Sequence, residues 1–230
     1  MLDAAIRLAD ESGIDALSMR RLAEELGVEA MSLYYYVKRK DELLSGMVDM
    51  AESEVDLPPA GTEWKAALRG MAISFHDMLR RHPWAASLLM ATSPSTVGRA
   101  RLRYMESMLG LLRQAGFSAN MTHHAYHALD SHITGSTLWA AGFAAVQQGA
   151  LELGLKLLRE LPRDQYPYFI EHAEQHINKP VRDGINTFEF GLDLILDGLE
   201  RILAAAAERP TAVRRRRASS VRRIGHVERT

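Results

Sequence analysis

Between Ser18 and Leu44 the chain runs SMRRLAEELGVEAMSLYYYVKRKDELL, and the side chains in this stretch suit contact with a nucleic-acid duplex. Leu22, Leu26, Val28, Leu33 and Val37 are spaced to hold two helices of about two turns each at a fixed angle across a tight turn at Gly27. The second helix exposes Ala30, Met31, Ser32 and Tyr35, with Tyr34, Tyr36 and the run Lys38-Arg39-Lys40 at its end. A helix of that size enters a major groove about 12 Å wide. Small and hydroxyl side chains at its start suit base edges and thymine methyls, and Arg20 reaches in from the preceding helix. Tyrosine hydroxyls and a following basic run suit phosphates, which set register without reading sequence. Five basic residues face three acidic ones from Arg20 to Lys40, so presentation matters more than bulk charge.

Other chemistries find less support. His123 and His127, and His172 and His176, have the spacing of two metal ligands on one helix face, but two ligands do not close a zinc shell. These pairs read as solvent-facing or hydrogen-bonded histidines, and no metal is assigned. His132, between Leu129 and Ile133, reads as a core or pocket histidine. His76, His124 and His132 stand as equivalent candidates for a hydrogen bond to a small molecule. The chain has no cysteine, which removes disulfides, thiolate nucleophiles and cysteine-held clusters together. Paired Glu-x-x-His motifs, His-Glu-x-x-His, Gly-x-Ser-x-Gly, a P-loop and a dinucleotide fingerprint are all missing. The sequence therefore reads as neither an enzyme nor a cofactor carrier.

The elements that must position these residues are helical. Of 230 residues, 47% are hydrophobic and 25% charged, with a formal net charge of −1, enough apolar material for a packed core. Apolar residues recur at three- and four-residue spacing, and no long stretch alternates with period two. Gly13 ends a first stripe from Leu2 to Ala9; Ser18 caps the second helix, with Leu17 and Leu22 spaced as a hydrophobic staple, and Gly27 ends it. A fourth helix runs from about Lys40 into the fifties, and Asp56-Leu57-Pro58-Pro59-Ala60-Gly61 marks a domain boundary. Helices are then expected over Trp64–Arg81, Pro83–Met90, Pro94–Ala115, Ser118–Gly149, Arg163–Ile177 and Val181–Ala207. This divides the chain into 1–56, 57–207 and a tail, 208–230. The tail's eight arginines against Glu208 and Glu228 give it +6, so the body carries −7. With Pro210, paired serines and few large apolar residues, the tail is expected to be disordered, a solvated charge run or a weak non-specific grip on nucleic acid. No apolar run approaches the ~20 residues of a membrane span, and the chain reads as soluble and cytoplasmic.

The segment also resembles the DNA-binding part of the TetR family of bacterial transcriptional repressors. Leu33-Tyr34-Tyr35-Tyr36-Val37, Arg39-Lys40-Asp41 and Leu43-Leu44 follow that family's order over the first 50 residues or so. Gly27-Val28-Glu29 is similar to its tetracycline-repressor branch, as is Phe188-Glu189-Phe190-Gly191-Leu192 to that branch's last helix. Val37 stands for the usual aromatic, and Arg39 for the usual capping Ser or Asn. The resemblance implies an all-α fold: a three-helix helix-turn-helix domain and a helical-bundle domain for ligand binding and dimerisation. It places Tyr34 and Lys40 on phosphates, and implies an internal pocket. Phe75 and Thr92 match the branch's drug site, whereas Ser53, Met71 and Leu89 replace its polar anchors, so tetracycline–magnesium is not carried over.

Large adaptable side chains from several helices fit such a pocket: Met71, Phe75, Met78, Trp84, Leu88, Leu89, Met108, Tyr126, Trp139 and Phe143. Each alone reads as ordinary core; together they favour an apolar or aromatic effector. Gly135, Ala140, Ala141 and Gly142 allow close approach of a partner helix, so a homodimer is expected through 118–149 and 181–207, reading a palindromic operator in double-stranded DNA. The expected function is a ligand-released repressor. An activator of the same fold, an all-helical enzyme and an interaction module are the alternatives.

Overall fold

The computed structural model describes residues 1–91, 97–176 and 186–224, with backbone alone at 91, 141, 143–152, 176 and 209–224. Every regular element among them is helical. Ahead of the proline loop lie α1 (Leu2–Ser12), a 3-10 turn (Ile14–Ala16), α2 (Met19–Leu26), α3 (Ala30–Leu33) and α4 (Lys40–Glu52). After it come α5 (Trp64–Arg81), α6 (Pro83–Ala91), α7 (Arg99–Ala115), α8 (Ala119–Glu160), α9 (Pro167–His176) and α10 (Thr187–Ile224).

Local chemistry sets most of the ends. Ser118 Oγ accepts from the Met121 N–H at 3.3 Å and starts α8. Glu63 caps α5 by accepting from the Lys65 and Ala66 N–H groups at 3.0 and 2.9 Å, bonds that hold its carboxyl below the usual range despite some burial. Gly116, at φ 106°, closes α7.

Several expected ends differ, among them the start of α9, which is Pro167 rather than Arg163. The helix after Gly27 is α-helical only over Ala30–Leu33, not to Val37. The long helix passes Gly149 and Gly154 and reaches Glu160, because the Leu, Glu, Lys and Arg around them outweigh two glycines, worth about 1 kcal/mol each. The last helix runs beyond Ala207 to Ile224, so the backbone of the tail is helical through 224 where disorder was expected. Its packed first half supplies the nucleus, and four alanines and the arginine run propagate it past Pro210. α7 begins at Arg99, with Val97 and Gly98 non-helical, and α10 at Thr187, with Asn186 non-helical, so both start later than expected; Pro94 and Val181 themselves lie outside the described residues.

The apolar core does not stop at the proline loop. Val48, Ala51 and Val55 bury in one cluster with Leu68, Ala86, Tyr104 and Met108, and α4 packs against α1, α6 and α7. Behind it α5, α7, α8 and α10 pack on one another, with Phe188, Leu192, Leu196 and Leu199 forming the inner stripe of α10. Arg69 with Glu189 and Asp193, and Lys65 with Asp197 and Glu200, line the outer seam of α5 and α10.

Candidate nucleic-acid interface and regulatory core

Ser18 Oγ accepts from the Arg21 N–H at 3.1 Å, and Leu17 and Leu22 are both buried, so cap and staple set the entry into α2. At the other end Gly27 is left-handed at φ 67°, ψ 31°. Its N–H reaches Glu24 O at 3.2 Å and the Val28 N–H reaches Ala23 O at 3.0 Å, the paired bonds of a Schellman ending. This turn leaves Val28 45% exposed, so Val28 does not help to hold the helix angle as expected; Leu22, Leu33 and Val37 do.

After Leu33 the backbone tightens. The Tyr34 and Tyr36 N–H groups bond the carbonyls three residues back, Met31 O at 3.3 Å and Leu33 O at 3.0 Å. Three consecutive tyrosines, restricted at χ1, give poor α-propagation, and a 3-10-like turn replaces it. Buried Leu33 and Val37 pin both ends of this turn while Tyr35 and Tyr36 project, 91% and 80% exposed. Met31 and Tyr34 are also exposed, and Ala30 and Ser32 are half-buried beside them. Arg20 lies along α2 with Nε on Glu24 at 2.9 Å, an exposed pair worth only about 0.3–0.5 kcal/mol that yields easily to a better anion.

The basic run is tied down more than its composition suggests. Lys40 Nζ donates to Leu17 O at 2.7 Å, fixing the start of α4 to the start of α2 and leaving two of its N–H groups for other acceptors. Arg39 provides no side-chain cap, as its residue type implies; instead Glu42 accepts from the Lys38 N–H at 2.8 Å, and Asp41 and Glu42 both sit in the first turn of α4. Lys38, Arg39 and Lys40 are exposed.

This head is bolted to the second half through α1. Asp10 accepts from Trp84 Nε1 at 2.7 Å and faces His82 Nδ1 at 2.9 Å, while His82 Nε2 lies 3.2 Å from Glu54. Arg81 completes the set on Glu54 at 2.8 Å. Trp84, grouped with the pocket from sequence, thus belongs to the junction.

The remaining pocket residues separate as well. Met71, Phe75 and Tyr126 are buried together, Leu89 is half-buried at α6, and Trp139 is 71% exposed on α8. Thr92 lies outside the described residues. What gathers around Phe75 is polar and was not anticipated. The Arg101 guanidinium lies 5.2 Å from the Phe75 ring centre and 5.5 Å from that of Tyr104, and its Nη2 donates to Asp130 at 2.6 Å and Tyr126 OH at 3.2 Å. Its Nη1 stands 3.6 Å from Oε1 of Glu52, the last residue of α4. Burial pushes the Glu52 carboxyl up to about 7, against the pull of Arg101 and helped by Asp49 and Asp130. Glu52 Oε1, Arg101 Nη1, Tyr104 OH and Thr122 Oγ1 are buried without a hydrogen-bond partner, each at a cost of about 1–3 kcal/mol. The sequence signal was there: Thr122, Tyr126 and Asp130 recur every four residues on α8, as do Arg101, Tyr104 and Met108 at three and four on α7.

The histidines serve packing. Phe188 of α10 is stacked on His76, ring centres 3.8 Å apart, and on His132, which also contacts Phe188 O through Nε2 at 2.9 Å. Burial lowers the pKa of His76. Exposed His123 and His127 pack edge to face at 4.5 Å, and the side chain of His176 lies outside the described set. Among the described residues no three His, Cys, Asp or Glu side chains gather to hold a metal ion. No described helix is long and apolar enough to cross a membrane.

Leu138 and Trp139 of α8 and Phe190, Leu194 and Ile202 of α10 are exposed, and a Cβ added at Gly135 or Gly142 would meet nothing within 4 Å. A groove of about 400 Å³ between Arg69 and the Glu189–Leu194 turn of α10 opens beside this face, and another of about 330 Å³ lies against α9 at Arg163, Ile170 and Glu174. Neither is lined by Met71, Phe75 or Tyr126.

Residues 1–47 match the family described as "Bacterial regulatory proteins, tetR family", and residues 57–203 match "Tetracyclin repressor-like, C-terminal domain". The HTH-type transcriptional repressor DrrR1 of Streptomyces coeruleorubidus is 33% identical over 219 residues, covering 89% of this chain and 77% of that protein. The class D tetracycline repressor protein of Escherichia coli is 29% identical over 208 residues, 89% of each chain. Among solved structures, ActR of Streptomyces coelicolor in complex with actinorhodin superposes with a TM-score of 0.71 at 29% identity, over 88% of this chain and 95% of that one.

Proposed function

Because the chain belongs to the TetR family of bacterial regulatory proteins, we propose that it is a cytoplasmic transcriptional repressor released from its operator by a small, apolar or aromatic molecule. The observation that carries the DNA half is the α2–Gly27–α3 corner, a rigid Schellman turn followed by a row of exposed side chains pinned at Leu33 and Val37. Ala30, Met31, Ser32 and Tyr35 meet base edges, with Arg20 beside them; Tyr34, Tyr36, Lys38 and Lys40 meet phosphates. Two heads read half-sites about 34–36 Å apart, which requires a two-fold dimer. The exposed apolar faces of α8 and α10, with open glycines on α8, support a four-helix interface there. The effector site takes in Met71, Phe75 and Tyr126; ActR, similar over most of its length, was crystallised with actinorhodin.

Footprinting on DNA flanking the protein's own gene tests the reading. A protected palindrome whose occupancy falls with salt is expected; absence of salt-dependent binding to any duplex refutes it.

A further inference from the structure

Three helices each send an unsatisfied polar group into the core: Glu52 from α4, Arg101 and Tyr104 from α7, and Thr122 from α8. Glu52, Tyr104 and Thr122 are each more than nine-tenths buried. Glu52, Arg101 and Tyr104 share one electrostatic neighbourhood with Asp130, since the Tyr104 hydroxyl is raised chiefly by desolvation and also feels Arg101, Asp130, Tyr126 and Glu52. Arg101 Nη1 and Glu52 Oε1 stand 3.6 Å apart, too far for a direct hydrogen bond and too close for an atom between them, so that an unsatisfied donor and an unsatisfied acceptor lie side by side.

We propose that this donor–acceptor pair is the polar anchor of the effector, and that it takes an uncharged aromatic hydroxyl compound whose oxygen lies beside the pair, accepting from Arg101 while its O–H donates to Glu52. The assignment rests on the effector reading above and narrows its ligand class. One hydroxyl satisfies both orphaned atoms, which neither an ether nor a hydrocarbon does. A carboxylate would meet Glu52 and Asp130 as like charges, and a cation would meet the guanidinium. Tyr104 remains for a second oxygen on a larger ligand, and the Phe75 ring beneath Arg101 provides an aromatic wall. A ligand seated here presses on the last residue of α4, the helix whose first residue holds the start of α2.

The test compares three probes of one skeleton, 2-naphthol, 2-methoxynaphthalene and 2-naphthoate, by calorimetry on the full chain and by release of a fluorescent operator. 2-Naphthol should bind at least about tenfold more tightly than the methyl ether, and the naphthoate least. In Glu52→Gln, whose amide can donate to the ether oxygen, that preference should collapse. In Arg101→Lys both naphthol and ether should weaken alike; thermal melting shows whether each variant is folded. Equal binding of naphthol and ether, tightest binding of the naphthoate, or an unchanged preference in Glu52→Gln overturns the anchor. Failure of all three probes while another lipophilic compound releases the operator also overturns it, yet leaves the effector reading standing. An operator complex that no compound dissociates would instead refute the reading on which the anchor rests.

Discussion

Glu52 makes the stability of this protein depend on pH in a direction opposite to that of most carboxylates. Its carboxyl is raised from 4.5 to about 7 because burial disfavours the charged form more than Arg101 favours it. Below pH 4.5 the folded and unfolded chains both hold the proton, and Glu52 takes nothing from stability. Between pH 4.5 and 7 the unfolded chain gives up its proton first, so unfolding becomes easier as pH rises. A shift of this size removes about 3 kcal/mol by pH 7 to 8. Glu52→Gln keeps the shape and cannot ionise. Urea unfolding of both proteins at pH 5, 6, 7 and 8, at one protein concentration, isolates the effect because every other titrating group cancels in the difference. The advantage of Glu52→Gln should grow from pH 5 to pH 7 and level off by pH 8, by about 2.5 kcal/mol in all, or roughly 5–10 °C in melting temperature. A flat difference, or one that shrinks with pH, would mean that the Arg101 pair outweighs desolvation and would refute the reasoning.

Gly27→Ala forces a left-handed alanine into a turn with nothing within 4 Å, so the loss should be the backbone term alone, about 1–2 kcal/mol by chemical unfolding, with operator affinity falling as the helix angle relaxes. Lys40→Ala should weaken all duplexes by a common factor and flatten the salt dependence by about one unit in fluorescence anisotropy; a loss confined to one sequence would contradict a phosphate role. Leu194 and Leu196 sit on opposite faces of α10, so Leu194→Glu should give folded monomers by light scattering and circular dichroism, whereas Leu196→Glu should lose about 3 kcal/mol or more of fold stability.

Features set by neighbouring residues were readable from the chain. The Ser18 and Ser118 caps, the Gly27 and Gly116 turns and the Leu17–Leu22 staple depend on side chains within six positions of one another, and each was visible as a local pattern. The length of α3 was not, because three tyrosines fit an apolar period while resisting α-propagation. The inward face of α10 was half legible: its apolar content marked a buried helix, but only packing decides that Leu196 faces its own chain and Leu194 does not. The polar core eluded sequence reading for the same reason. Glu52 and Arg101 are 49 positions apart, and nothing in either neighbourhood announces the other. Trp84 shows the same limit: an indole reads as apolar until Asp10 is placed against its N–H.

The junction of Asp10, His82, Trp84 and Glu54 bears on how such proteins diversify. It draws on α1, the α5–α6 corner and the loop after α4, and on none of the side chains from Met19 to Val37 that face outward from the corner. On the DNA reading proposed above, operator choice and domain docking are therefore written on separate stretches of the chain. A segment from Met19 to Val37 can be exchanged for that of a relative, provided the buried positions Leu22, Ala23, Leu33 and Val37 keep their volume, without disturbing how the head is seated. The protein is built so that a new address on DNA can be acquired by transplantation while the machinery that listens for a signal stays as it was.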